Sequence, residues 1–207
     1  SNTIVIVTGD HGEEFFDHGG FDHGHTLFEE LIHVPLVLRL PDENLAGTRI
    51  TEIARQIDLV PTLLSLLDEP LPPDLPGRPL LGLDPHSGKP EPTRSADPIE
   101  ARSHTHLHSR ELAAMTRDNW KAIENADGGP SAAGLFDLAS DPREHRDLQK
   151  ERPIAWAYAR QDLKHWLASQ AEETSQKSRA PEEPSDIEPE TERKLRALGY
   201  LDDPPPS

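Results

Sequence analysis

Cysteine and long apolar runs are both absent from this 207-residue sequence. Without cysteine, the chain forms no disulfide, offers no thiolate to a metal and carries no cysteine nucleophile. No stretch reaches the roughly 18 apolar residues that a membrane-spanning helix needs, and the first residues lack the charged-then-apolar order of a signal peptide. The sequence therefore predicts no membrane segment within this chain.

Positive charge is scarce as well, with 21 Lys and Arg against 38 Asp and Glu and a formal net charge of −17. Binding to nucleic acid depends on clustered Lys and Arg that neutralise phosphates. We therefore expect no nucleic-acid partner. Metal-dependent hydrolysis in an acidic protein remains compatible with this balance.

What the sequence does have is a concentration of acids and histidines directly after its first apolar segment. The first 33 residues hold seven carboxylates (Asp10, Glu13, Glu14, Asp17, Asp22, Glu29, Glu30) and five histidines (His11, His18, His23, His25, His33), and no Lys or Arg precedes Arg39. Carboxylates packed into one turn-rich stretch repel each other unless a positive group lies among them. A divalent cation is the largest local charge that a protein recruits, so the pattern predicts a metal site.

The first 40 residues predict a strand, a functional loop, a short helix and a second strand. Residues 3–8 are an apolar β-branched run of the kind that is buried on both faces of a parallel sheet, and residues 33–40 resemble it. Residues 26–32 have helical spacing, with Thr26 as N-cap and Glu29 completing a capping box. A strand of this type needs neighbours on both sides, and the sequence offers only one other segment like it. The rest of the sheet is therefore expected to lie outside this chain, which would be the C-terminal piece of a larger enzyme.

Further along, residues 50–67 predict a helix that starts near Asp58 or Leu59, with Pro61 in its first turn. Short alternating segments then predict a small antiparallel sheet at residues 112–116, 120–123 and 135–138. Residues 153–168 predict an amphipathic helix that covers one face of that sheet. Together these segments predict an α+β subdomain.

The predicted organisation has three parts. Residues 1–84 form part of a catalytic α/β domain, and residues 85–168 form the sheet-plus-helix subdomain. Residues 169–207 form a mobile linker, because residues 169–192 are rich in Glu, Pro and Ser and bury little apolar area, followed by a short helix at residues 192–201.

Several motifs in order resemble the sulfatase family of the alkaline-phosphatase superfamily. They begin with Asp10-His11-Gly12-Glu13, His23-Gly24 and residues 27–36. They continue with residues 57–64, 75–80 and 135–148, and end with the Leu-Gly-Tyr-Leu of residues 198–201. Each motif is weak alone, but their order over residues 4–148 makes a chance similarity improbable. The resemblance implies the C-terminal part of an alkaline-phosphatase-like α/β sandwich.

The same resemblance implies cleavage of a sulfate ester by an activated nucleophile beside a divalent cation. Asp10 and His11 would be the C-terminal pair of metal ligands. The nucleophile, a formylglycine in this family, and the remaining ligands would come from the N-terminal half of the same enzyme, which is the expected partner of this chain. Calcium is the expected ion, with manganese and zinc as alternatives because imidazole suits transition metals.

Two histidines are the candidate catalytic residues. His23 falls where related enzymes place a side chain that contacts the transferred group, so it would bind sulfate or phosphate oxygens or protonate the leaving oxygen. His25 is the second candidate for that role. Glu13 and Glu14 are expected to support the site. The alternating His104, His106 and His108 could bind metal, but we favour a solvated or substrate-rim strand for them.

Other activities of the same superfamily stay open at this point. A phosphodiesterase, a phosphonate hydrolase or a phosphoethanolamine transferase would keep the metal pair and His23 while changing the nucleophile. A non-catalytic fragment or assembly module is the alternative outside catalysis. The resemblance also suggests an extracytoplasmic location.

Overall fold

The computed structural model describes residues 2–95, 99–107, 110–125 and 133–177. It divides into a compact unit of residues Ser1–Leu167 and a second unit of residues Ala168–Ser207. In the second unit, the described residues 168–177 are the last turns of a helix. Among the described residues, no helix combines the length and apolarity needed to cross a membrane.

The first part of the chain is built from short elements. Strand β1 (Val5–Thr8) leads into a hairpin of β2 (Glu14–Phe15) and β3 (Phe21–Asp22), which is followed by helix α1 (Glu29–Ile32) and strand β4 (Leu36–Arg39). Two 3-10 turns (Pro41–Glu43 and Gln56–Asp58), helix α2 (Leu59–Leu66) and the hairpin β5 (Leu81–Leu83) with β6 (Pro90–Pro92) complete it.

The second part is a four-stranded antiparallel sheet with a long helix. Its strands are β7 (Glu100–Leu107), β8 (Arg110–Arg117), β9 (Trp120–Asn125) and β10 (Gly134–Asp137), and their spatial order is β10-β9-β8-β7. Helix α3 runs over Pro153–Lys177. The predicted antiparallel sheet and its covering helix are confirmed, with β7 as a further strand.

Both faces of this sheet are buried because successive side chains of a strand point to opposite sides. One face packs against α3 through Ala113, Met115, Ala122, Leu135, Ala159, Leu163 and Leu167. The other face packs against the start of α1 through Leu27, Phe28, Leu112, Ala114, Ile123 and Phe136. Apolar packing therefore fixes where α1, and the loop that precedes it, lie on the sheet.

A buried ionic network adds a polar tie between the same elements. The fully buried Lys121 places its Nζ 2.9 Å from Glu29 Oε1 and 2.9 Å from Glu144 Oε1. Glu144 Oε2 also accepts the N–H of Glu29 at 2.6 Å. Burial raises the pKa of Glu144 above its ordinary value, although the charge of Lys121 opposes that shift. The network thus anchors the first turn of α1 to strand β9.

Three local predictions are wrong. Strand β1 was expected in a parallel sheet but pairs antiparallel with β4. Val5 and Val7 are exposed, because β4 is the only strand beside β1 among the described residues. Helix α1 starts at Glu29 with Phe28 as N-cap. Thr26 does not cap it, because its hydroxyl donates to Glu14 instead. The predicted linker also begins too early, since α3 continues to Lys177.

The remaining predictions on domain organisation have mixed outcomes. Helix α2 begins at Leu59 with Pro61 in its first turn, which confirms that prediction. The short helix predicted at residues 192–201, and the rest of the linker, lie outside the described residues. The division into a catalytic part up to residue 84 and a subdomain beyond it stays a prediction.

Candidate functional site

The turn after β1 carries Asp10 and His11, and the side-chain amide of Gln56 holds it through hydrogen bonds. Gln56 Nε2 donates to the carbonyl oxygens of Gly9 at 3.0 Å and Asp10 at 2.7 Å. The N–H of Gly12 donates to the carbonyl of Leu31 at 2.8 Å. A Cβ at Gly12 would lie 1.9 Å from the Glu30 carbonyl oxygen, so only glycine permits this approach. The turn is therefore fixed to both α1 and the 3-10 turn before α2.

Asp10 and His11 present two donor atoms to the same space. Asp10 Oδ2 lies 3.9 Å from His11 Nε2, close enough to share one ion at ligand distances of about 2.0–2.6 Å. His11 Nδ1 is 2.9 Å from the Gly12 carbonyl, which only accepts, so Nδ1 carries the proton and Nε2 keeps its lone pair. Imidazole ligands are usually oriented by such a contact. The two side chains can therefore bind one divalent metal ion together.

The electrostatics of Asp10 favour its ionised form. The N–H of His11 and the N–H of Asp10 itself, with a smaller contribution from the charge of His11, hold the pKa of the Asp10 carboxyl below its ordinary value of 3.8. The side chain is exposed, with 82% of its surface accessible. Asp10 is thus an accessible carboxylate that is ready to bind a cation.

His23 comes to the same site from the end of β3. Its ring centroid lies 4.2 Å from that of His11. Its Nδ1 lies 3.0 Å from Glu13 Oε1 and 2.8 Å from Asp22 Oδ1. Asp22 has a φ of +79°, a left-handed conformation that Asp tolerates better than most residues. Two carboxylate oxygens around Nδ1 place the proton there and leave Nε2 free for a ligand.

Glu14 organises the rest of the loop, although its own carboxylate is fully buried. It accepts hydrogen bonds from the N–H of Gly20 at 2.6 Å and of His18 at 3.0 Å. It also contacts His25 Nε2 at 2.8 Å and the Thr26 hydroxyl at 3.3 Å. Burial alone raises the pKa of Glu14, but the N–H of Gly20, the His25 ring and the N–H of His18 outweigh it and hold that pKa below 4.5.

A cavity of about 470 Å³ opens beside these residues. Asp10, His11 and His23 line it, together with residues 102–105 of strand β7. The Thr105 hydroxyl donates to the carbonyl of Gly24 at 3.1 Å, which ties β7 to the residue after His23. His104 lies 3.3 Å from Glu111 through Nε2. The subdomain sheet therefore contributes polar side chains to the cavity.

The structure groups the predicted residues selectively. It brings Asp10, His11 and His23 to one cavity, whereas His25 is held against Glu14 and does not line that cavity. Of the alternating histidines, His104 lies on the cavity rim. The side chain of His106 and the whole of His108 lie outside the described residues.

Two residues of the site were missed by the sequence reasoning. Gln56 lies just before the motif of residues 57–64. It has no feature that marks it as a support of the turn at Asp10, which precedes it by 46 residues. Arg102, which lines the cavity, donates to Asp162 Oδ2 at 2.9 Å and lies over the Trp166 ring at 5.7 Å. The β-strand pattern alone could have indicated only that Arg102 and His104 share a face.

Comparison with known proteins finds similarity to sulfatases. The family model described as Sulfatase matches residues 1–69. Arylsulfatase K from Homo sapiens is 35% identical over 154 residues, which is 73% of this chain and 28% of the relative. Arylsulfatase K from Danio rerio is 28% identical over 158 residues, 74% of this chain and 29% of the relative. The chain thus spans less than a third of the length of these curated relatives.

Two solved structures have a similar fold. One is a protein in complex with its substrate D-glucosamine-2-N,6-O-disulfate, with a TM-score of 0.62 and 21% identity over 88% of this chain and 36% of that one. The other is a 2-O GAG sulfatase, with a TM-score of 0.62 and 19% identity over 84% of this chain and 38% of that one. At these identities the likeness concerns the fold alone.

Proposed function

The chain belongs to the sulfatase family, with part of an alkaline-phosphatase-like α/β fold, and from that premise we propose that it forms part of a sulfuric ester hydrolase. One observation carries the proposal. Asp10 Oδ2 and His11 Nε2 lie 3.9 Å apart beside a cavity that His23 also lines. A cation-binding pair next to a free imidazole is what cleavage of an anionic ester needs.

The family implies a divalent metal, and Asp10 and His11 are the residues of this chain that would hold it. When bound, the ion supplies positive charge that stabilises the ester oxygens and the nucleophile. We propose calcium, with manganese and zinc as alternatives, since the donor pair combines one carboxylate with one imidazole. Gln56 keeps the pair in place through its two hydrogen bonds to the turn.

His23 is proposed to bind the sulfate group. Its Nδ1 proton is held by Glu13 and Asp22, so the ring has a fixed orientation with Nε2 facing away from both carboxylates. A protonated Nε2 would donate to a sulfate oxygen or to the leaving oxygen. His25 remains the second candidate, but its contact with the buried Glu14 favours a structural role.

The proposed substrate is a sulfated saccharide. One structural neighbour is complexed with a disulfated glucosamine and another is a 2-O GAG sulfatase. The cavity volume of about 470 Å³ falls within the range of roughly 300–1,000 Å³ that small-molecule sites have. The formylglycine nucleophile and the other metal ligands would come from the N-terminal half of the enzyme, and we propose an extracytoplasmic location for the whole.

The test measures hydrolysis of an aryl sulfate and of the matching aryl phosphate, with and without divalent metal. The assay uses the 207-residue chain and the full-length protein that contains it. We expect metal-dependent cleavage of the sulfate ester by the full-length protein only. The change His23→Gln should lower kcat/KM by about 10²-fold or more, and Asp10→Asn should remove the response to metal.

Matched controls separate these effects from a general loss of structure. His86 and Glu69 are exposed residues outside the cavity, so His86→Gln and Glu69→Gln should leave kcat/KM unchanged. Failure of the metal-loaded full-length protein on the sulfate ester would overturn the proposal. Preferential cleavage of the phosphate ester would instead assign it to a phosphoryl-transfer enzyme of the same superfamily.

A further inference from the structure

We propose that His11, Glu13 and His23 form a binding site for a transition-metal ion of the zinc class, with a donor set different from the Asp10–His11 pair. Each of the three residues offers one donor atom, and these atoms all lie within 4.8 Å of one another. The site goes beyond the proposed sulfatase activity and does not depend on it. The proposed esterase chemistry uses Glu13 only to orient His23 and not as a metal ligand.

The distances suit a small tetrahedral ion. Zinc binds nitrogen and oxygen donors at about 2.0–2.2 Å, so two tetrahedral donors lie roughly 3.3–3.6 Å apart. Glu13 Oε1 is 3.0 Å from His23 Nδ1 and 4.0 Å from His11 Nδ1. These values lie on either side of that spacing, so small side-chain rotations would suffice. His11 Nδ1 would give up its proton and its contact with the Gly12 carbonyl on binding the ion. The ion would take the place of the proton that His23 and Glu13 share.

The donor chemistry selects the ion. Two imidazoles with one carboxylate suit zinc and its neighbours among the transition metals. Calcium prefers six to eight oxygen ligands, which this set does not offer. The Asp10 carboxylate faces His11 Nε2 at 3.9 Å, so the two donor sets share His11 and differ in their other members. Glu13 and His23 therefore distinguish the new site from the expected metal pair.

The surroundings favour entry of a cation. The side chains of His11, Glu13 and His23 are 40%, 40% and 48% accessible, so an ion reaches them without a conformational opening. Asp22 adds a carboxylate oxygen 2.8 Å from His23 Nδ1. No Lys or Arg occurs in the sequence before Arg39. Since zinc must displace protons from imidazole ligands, binding should also release protons.

The experiment measures Zn²⁺ affinity of the 207-residue chain at neutral pH by competition with a chromophoric chelator, in the presence of excess Ca²⁺. The variants are Glu13→Gln and His23→Gln, with Asp10→Asn to report on the other donor set. Glu69→Gln and His86→Gln are the matched controls. Far-UV circular dichroism checks that each exposed substitution leaves the fold unchanged.

We expect Glu13→Gln and His23→Gln each to weaken Zn²⁺ binding roughly tenfold or more, because even outer partners of a metal ligand cost 10–100-fold when removed. Asp10→Asn and both controls should bind Zn²⁺ like the unchanged chain. With Co²⁺ as the probe, the visible absorption of the bound ion should disappear in His23→Gln. Proton release on Zn²⁺ binding, measured by calorimetry in two buffers, should fall in the same variant.

Two results would overturn the inference. Unchanged Zn²⁺ affinity in Glu13→Gln or in His23→Gln would mean that the ion binds elsewhere. A loss in Asp10→Asn equal to that in Glu13→Gln would mean a single undivided site. Because no ester is involved, either outcome leaves the proposed sulfatase function untouched, and failure of the esterase assay leaves the zinc measurement valid.

Discussion

The four-stranded sheet and the site loop, residues 9–26, are held in place by different physical forces. The sheet is packed on both faces by apolar side chains, of which Leu163 and Ile123 are 0% exposed. The loop leaves three phenylalanines in solvent, with Phe16 70% exposed at a φ of +69°. Its order depends on the buried carboxylate of Glu14. The sheet is therefore stabilised by many apolar contacts, and the site loop by a few hydrogen bonds to one carboxylate.

This difference has consequences for how each region fails. Apolar burial is spread over many residues and does not depend on pH. The loop, in contrast, depends on the hydrogen bonds of one buried titratable carboxylate. Leaving that buried group without hydrogen-bond partners costs free energy. The site loop can therefore open locally while the sheet stays folded. We therefore expect the residues that carry the proposed chemistry to lie in the region with the lower local stability.

The largest effect is expected from Leu163→Ala on α3. Removing this fully buried side chain from the sheet face should lower the free energy of unfolding by about 2–5 kcal/mol. Denaturant unfolding followed by the fluorescence of Trp156 and Trp166, which pack on the same cluster, measures it. The matched control on the same helix is Ile154→Ala, 86% exposed, for which we expect a change within about 0.5 kcal/mol.

An equal loss of stability in Leu163→Ala and Ile154→Ala would show that α3 does not stabilise the sheet through its buried face. The claim that apolar packing stabilises the sheet would then fail. In folded Leu163→Ala protein, amide exchange of the site loop should stay as in the unchanged chain, because no loop residue belongs to the α3-facing cluster.

A smaller and local effect is expected from Glu14→Gln. The N–H groups of His18 and Gly20 share Oε1, which the amide oxygen can replace, but without the negative charge. An NH₂ group in place of Oε2 cannot accept from the Thr26 hydroxyl, so the loop should lose about 1–3 kcal/mol of local stability. Hydrogen exchange should accelerate across residues 14–26 and stay unchanged in strands β8 and β9. Glu69→Gln, an exposed change of the same chemistry, is the control. Uniform acceleration over both regions would contradict a separately held loop.

Local patterns explain what the sequence could predict. The alternation of apolar residues in β8, β9 and β10 depends only on neighbours in the chain, so the sheet and its helix were predictable. The turn after the first apolar strand, with its acid and imidazole, is likewise a local signal. Asp10, His11 and His23, which belong to such motifs, were predicted together from the sequence, and the structure brings them to one cavity.

Long-range partners explain what could not be predicted. The carboxylate that accepts the N–H of Glu29 comes from Glu144, 115 residues away. The amide that holds the Asp10 turn comes from Gln56, 46 residues away. Thr26 matched a capping pattern, but the buried Glu14 took its hydroxyl. In each case the deciding contact is set by tertiary structure, which overrides a local preference.

The smallest expected effect is a difference between the pKa values of Glu144 and Glu14, which the backbone amides of Glu29 and Gly20 report. The pKa of Glu144, beside the sheet, is raised above its ordinary value of 4.5 chiefly by burial, so its stabilising contribution is present at low pH and is lost as pH rises through the folded pKa. The pKa of Glu14 is held below 4.5, so its contribution is present above that value and is lost as pH falls through the folded pKa. The N–H of Glu29 and the N–H of Gly20 donate to these two carboxylates.

On acidification from neutral pH, the amide resonance of Glu29 should therefore shift first, above 4.5, and that of Gly20 should shift only below 4.5. Two-dimensional NMR on labelled chain measures both in one titration. In Glu14→Gln the Gly20 transition should vanish while the Glu29 transition remains, which assigns each to its carboxylate. If the Gly20 amide titrated at the higher pH, the hydrogen bonds to Glu14 would not outweigh its burial, and the loop would need another source of order.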